Sequence, residues 1–303
     1  MCRQASGQRT PNERLMERME GYMEYTVEMR HIVQRFGEKE VLRGIDLKIH
    51  EGEIFGLLGP SGAGKTTLIK ILTGQLRQTA GEVQIFGKNA GNRKENLSKM
   101  GMMMDNFGLY ERLSCYDNLK LFTRIYDVPE KRADEILRRV GLYEDRKLPV
   151  MKLSKGMRSR LSLARAVMNE PRILFLDEPA SGLDPATAAE IHKLVQEEKS
   201  RGATIFLTTH NMEEAHKLCD HVALLHEGVI MEYGQPGEVC CRYNHQNKLL
   251  LRLLNGKMVE MSNDRTSAEK VKEYLEQEMV ETIHSTEPSL ETVFMELTGR
   301  GLE

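Results

Sequence analysis

With 303 residues and 40% hydrophobic side chains, the chain can bury the core of one large α/β domain and carry a smaller appendage. A formal net charge of −2 gives no basic excess of the kind that marks a nucleic-acid binder, so no nucleic-acid partner is expected. No apolar run approaches the ~20 residues needed to span a bilayer, the first residues lack the apolar core of a signal peptide, and Cys2, Cys115, Cys219, Cys240 and Cys241 have neither zinc-like nor disulfide-framework spacing, so a cytoplasmic chain with reduced thiols is expected.

Residues 1–24 are polar and read as a disordered extension. From Thr26 the alternation in TVEMRHIV and IDLKIH predicts strands, and EIFGLL predicts a buried one. The segment TTLIKILTG reads as a helix and GEVQIFG as a further strand. A helical subdomain is expected over about 106–168. In it, Ser114 and Asp117 form an S-x-x-D helix start, and a second helix runs near Glu130–Val140 to stop at Gly141. Alternation then returns: RILFLDEP strand, DPATAAEIHKLVQEEKS helix, ATIFLTTH strand, MEEAHKLC helix, and two strands about Glu227 and Gly228. This order implies an α/β fold with a mostly parallel core sheet, over a nucleotide-binding domain at 25–238. Residues 239–303 read as a small α+β domain: a hairpin turning at Asn255 and Gly256, a helix near 267–278, a strand near 279–284 and a last helix at 289–297.

Two motifs carry chemistry. Residues 59–66, GPSGAGKT, lie between a buried strand and a helix, the setting of a phosphate loop. Gly59, Gly62 and Gly64 are expected to turn the backbone with unusual dihedrals, so that the N–H groups of Gly59, Pro60's neighbours Ser61 and Gly62, Ala63 and Gly64 converge on phosphate oxygens. Lys65 supplies a point charge for the β- and γ-phosphates, Thr66 a hydroxyl for Mg²⁺, and Thr67 another phosphate contact. The second motif, ILFLDE, brings two carboxylates to the C-terminal end of a buried strand. Asp177 is expected at the metal and Glu178 at the attacking water.

The segment Leu153–Met157, LSKGM, followed by RSRLSLARAVMNEP and the ILFLDE strand, resembles the signature of ATP-binding cassette (ABC) transporter ATPases. The resemblance spans about residues 26–236 and implies the P-loop NTPase fold of that family, ATP hydrolysis with Mg²⁺, and a second nucleotide-binding subunit whose site Ser154 and Gly156 would complete, with Lys155 adding charge. It further implies that Phe36 stacks on adenine, against a plain core aromatic, and that Asp184 lies in the loop that communicates across the dimer, besides suiting a helix cap. His210 matches the histidine that meets the γ-phosphate. Two departures stand out: Asp105 where the family has a glutamine, a carboxylate that by its place in the resemblance is expected to coordinate Mg²⁺ or orient water beside ATP, and Lys155 with Met157 in the signature. The tail EPSLETVFMELTGR resembles export ATPases of the daunorubicin-resistance type, or is an amphipathic helix packing through Leu290, Val293, Phe294 and Leu297. The resulting expectation is a homodimeric ATPase subunit on the inner face of the membrane, driving a separately encoded export permease. An importer ATPase and a soluble ABC ATPase without a permease are the alternatives.

Overall fold

The computed structural model describes residues 25–91, 96–104, 108–245 and 247–299. The expected extension at 1–24 and Asp105 lie outside these described residues. Two sheets build the larger part. Strands β1 (Tyr25–Phe36) and β2 (Lys39–His50) form a long hairpin whose turn uses Gly37 at φ 61°, and β4 (Ala80–Ile85) and β5 (Lys88–Asn89) extend it in the order β2-β1-β4-β5. The second sheet has six strands in the order β10-β9-β3-β8-β7-β6. Here β3 (Ile54–Leu58), β6 (Met100–Met103), β7 (Ile173–Asp177), β8 (Thr204–Thr209) and β9 (His221–His226) run parallel, while β10 (Val229–Gly234) is an antiparallel edge.

Every residue of β3, β7 and β8 is buried, because their sheet is covered on both faces, and the apolar stretches IFGLL, ILFL and IFL follow from that. Alternate side chains go to different cores. Phe55, Leu57, Phe175 and Phe206 pack with the antiparallel sheet and helix α1 (Lys65–Leu72). Ile54, Leu58, Leu174, Leu176, Ile205 and Leu207 pack with helices on the opposite face. Those helices are α2 (Cys115–Ile125), α3 (Lys131–Arg139), α4 (Lys155–Ala166), α5 (Pro185–Ser200), α6 (Met212–Leu218) and α7 (Pro236–Arg242). Helix α2 starts at the S-x-x-D pattern: the Ser114 hydroxyl accepts from the Asp117 N–H at 3.0 Å and donates to the Asp117 carboxylate at 2.6 Å.

Strand β6 has no counterpart in the sequence reading, because MGMM contains no β-branched residue and one glycine. Its glycine is what lets it dock: a Cβ on Gly101 would come 2.1 Å from the Ala166 carbonyl oxygen. Beyond α7 the chain makes a three-stranded antiparallel sheet, β12-β11-β13, from β11 (Lys248–Leu253), β12 (Met258–Ser262) and β13 (Val280–Ser285), with α8 (Ala268–Glu276) between the last two in sequence. Helix α9 (Leu290–Thr298) then returns to the large core. Leu290, Val293 and Phe294 are buried against α6 and α7, and the Phe294 ring meets His226 edge-on at 5.8 Å.

Candidate nucleotide site

The loop after β3 turns through Gly62 (φ 82°) and Gly64 (φ 114°), both in the region that glycine alone enters freely. Gly59 is a correction to the expectation. Its φ is not positive, and it is a glycine because a Cβ there would sit 2.2 Å from the Leu225 carbonyl oxygen of β9. Helix α1 begins with Gly64 as its N-cap and no side-chain capping bond, so the N–H groups of its first turn remain directed at the loop. Ala63 is buried, and its N–H closes the loop onto the Pro60 carbonyl at 3.2 Å.

Lys65 curls back over the loop it follows. Its ammonium donates to the carbonyls of Gly59 (2.5 Å) and Pro60 (3.3 Å) and lies 3.4 Å from the Glu178 carboxylate. Asp177 ends β7 with both oxygens engaged: the Thr66 hydroxyl donates to one at 3.2 Å and the Thr208 hydroxyl to the other at 2.5 Å. Sequence reasoning missed Thr208. Thr208 is one of three threonines in TIFLTT, so nothing local set it apart; only the register, which puts it beside Asp177 of the neighbouring strand β7, does so.

Glu178 follows in a left-handed conformation (φ 52°), uncommon for a residue with a side chain, and its N–H donates to the Thr208 carbonyl at 3.1 Å. The strained turn puts its carboxylate between the Lys65 ammonium and His210 Nδ1, the latter at 2.8 Å. Residues 60–62 and 64–67, with Val41, Asp177 and Glu178, enclose a cleft of about 230 Å³. On the far side of Glu178 a second cleft, of about 570 Å³, reaches Ser181, Gly182 and His210.

A single hydroxyl and a single carboxylate at Thr66 and Asp177 suit Mg²⁺ arriving with phosphate oxygens and water, which is how that ion is held, rather than an all-protein cage. In keeping with this, no group of three or more His, Cys, Asp or Glu side chains converges on one point among the described residues.

The remaining expected residues divide. Ser154 is the N-cap of α4, exposed, and its hydroxyl accepts from the Met157 N–H at 3.2 Å. Ser154, Lys155 and Gly156 do not line the phosphate-loop cleft of their own chain. Lys155 and Gly156 lie instead against the segment after Glu178: a Cβ on Gly156 would meet the Thr187 methyl, in the first turn of α5, at 2.5 Å, and one on Gly182 (φ 64°), in the loop before it, would meet the Lys155 ammonium at 2.4 Å. Asp184 caps α5, accepting from the Thr187 hydroxyl at 2.6 Å and N–H at 3.1 Å, and these bonds hold its carboxyl below the usual range. Phe36, 50% exposed at the end of β1, is not a core aromatic, and it does not line the cleft.

The family model described as ABC transporter matches residues 42–181. A fluoroquinolones export ATP-binding protein of Mycobacterium tuberculosis is 40% identical over 266 residues, covering 86% of this chain and 88% of that protein. A daunorubicin resistance ATP-binding protein of Streptomyces coeruleorubidus is 37% identical, covering 68% of this chain and 67% of its own length. Among solved structures, a dimeric ATP-binding cassette in a post-hydrolysis state with ADP and Pi superposes with a TM-score of 0.63 at 27% identity, covering 69% of this chain and 98% of that one. With likeness of this extent in both sequence and fold, the chain belongs to the ABC transporter family, as an ATP-binding cassette that hydrolyses ATP.

Proposed function

We propose that this cassette powers a separately encoded membrane permease that exports a drug, an antibiotic or a similar compound. The observation that carries the catalytic part is the Glu178 carboxylate, fixed between Lys65 and His210 at the lip of the cleft. In this reading the loop N–H groups and Lys65 take the β- and γ-phosphates, Lys65 exchanging its carbonyl partners for phosphate oxygens. Thr66 and Asp177 would hold Mg²⁺, which when bound neutralises charge on the phosphate oxygens. Glu178 orients a water and takes its proton as the oxygen bonds to the γ-phosphorus and the bond to the bridging oxygen breaks, leaving ADP and phosphate. His210, tied to Glu178, faces the same phosphate. Phe36, exposed at the end of a strand close in sequence to the cleft residue Val41, is available to stack on adenine.

Ser154, Lys155 and Gly156, turned away from their own cleft, serve the ATP of a second copy, which makes the working unit a dimer. Residues 25–238 form the ATPase domain in this reading, with 239–303 appended and held through α9. The direction of transport is supported by the names of the export and resistance relatives. In this reading the chain sits at the inner face of the cell membrane, docked on its permease. Removing the gene from its host and measuring accumulation of a fluoroquinolone, daunorubicin and bacitracin tests this: higher retention of at least one compound is expected. Unchanged retention, with the chain absent from every detergent-extracted membrane complex, would favour a soluble ATPase; reduced uptake of a nutrient would favour an importer.

A further inference from the structure

Among the described residues the His210 side chain bonds only to Glu178, and its ring is 57% exposed, so its placement depends heavily on the backbone that carries it. Both neighbours are held. The Thr209 hydroxyl accepts from the Asn211 N–H at 3.0 Å and donates to the Glu214 carboxylate at 2.9 Å, while the Asn211 side chain accepts from the Glu214 N–H at 3.0 Å as the N-cap of α6. Glu214 is the hub. It is 7% exposed, and its second oxygen meets His192 Nε2 at 2.7 Å. His192 lies two turns along α5, the helix that Asp184 caps and that follows the loop 181–183 packed on Lys155. Thr209, His210, His192 and Glu214 line the same cleft as Glu178, Ser181 and Gly182.

A buried carboxylate is retained in a core only with partners that satisfy it. This one has two, on different elements, and each leads to a different part of the reaction machinery. We propose that Glu214 is a positioning residue: through Thr209 it fixes the backbone that carries His210, and through His192 it makes that fixation depend on the placement of α5 and the loop ahead of it. The loop that carries Ser181 and Gly182 and the histidine at the γ-phosphate are then joined by one carboxylate, three side chains long. The inference deepens the assignment of His210 to the γ-phosphate and rests on it.

The test is hydrolysis of MgATP by the full chain, with binding of a fluorescent ATP analogue measured alongside. Glu214→Leu, close in volume but unable to bond, is expected to lower kcat by about tenfold to a hundredfold, as misplacing a reacting group does, while KM and analogue affinity stay within about twofold. Glu214→Gln, which can accept from Thr209 and donate to His192, is expected to restore most of the turnover. Combined with His210→Ala, Glu214→Leu should cost nothing further, because it acts through that histidine. Thr209→Val breaks the same link with a side chain of the same shape and gives the same reading if Glu214→Leu does not fold. Normal kcat in Glu214→Leu or Thr209→Val with an inactive His210→Ala overturns the proposal alone, as does a multiplicative double variant. Normal turnover in His210→Ala overturns both the proposal and the role of the histidine.

Discussion

Glu178 holds its carboxylate on a left-handed backbone, and that choice of conformation places it against both Lys65 and His210. Glu178→Gln keeps the shape and the hydrogen-bonding reach while removing the basic oxygen, so phosphate release is expected to fall by about 10²–10⁴-fold with ATP still bound. Steady-state release and nucleotide retention measured side by side check it, and an unchanged rate would exclude Glu178 as the base. Cys115 illustrates a different control. Burial at the first position of α2 pushes its thiol up to about 11 from an ordinary 9.0. The folded chain therefore holds that proton more tightly than the unfolded one, so the contribution to stability is complete below pH 9 and is lost between 9 and about 11. Urea midpoints should decline across that window, less steeply in Cys115→Ala, and at neutral pH a thiol reagent should label exposed Cys241 and spare Cys115. The residues of the phosphate loop and the paired carboxylates were legible because their chemistry demands fixed neighbours in sequence. Thr208 and Glu214 were not, since their partners lie on other strands and helices and a lone Thr or Glu carries no spacing signal.

Among elements, α9 joins tail to core. Phe294 is 1% exposed within a cluster that includes Met212, Leu218 and Val239. Phe294→Ala should cost about 3–5 kcal/mol, the usual toll for emptying an aromatic site, read as a lower urea midpoint; a loss confined to a few tenths would mean that α9 is dispensable for the core. The sequence announced this helix well, with Ser289 as N-cap, apolar residues at 290, 293, 294 and 297, and Gly299 (φ 67°) at its end. What it docks on was hidden, because the socket is assembled from α6 and α7, tens of residues upstream. Strand β6 failed for the opposite reason. Its pairing with β7 and a close approach at Gly101 outweigh poor strand propensity, and neither is a local property of MGMM.

At the scale of the molecule, the phosphate-loop cleft and the LSKGM segment are separate places on one chain. If two copies complete each other's sites, a Lys65→Ala chain and a Ser154→Arg chain are each inactive, yet mixing them assembles dimers with one intact site. Recovery of hydrolysis on mixing is the expected result, and none at any ratio would speak against shared sites. The family resemblance was legible across this whole span, whereas the packing of Lys155 over Gly182 of the same chain was not, since it depends on how α4 and α5 are set side by side. The return of α9 also bears on biosynthesis. Ribosomes add about 5–20 residues per second, so the apolar socket on α6 and α7 emerges seconds before the helix that covers it. Until then the nascent chain presents a surface that chaperones bind, and a message truncated ahead of Leu290 yields a product that never conceals it. In such a product the side chains that Phe294 covers, Met212, Leu218 and Val239 among them, would stay open to solvent.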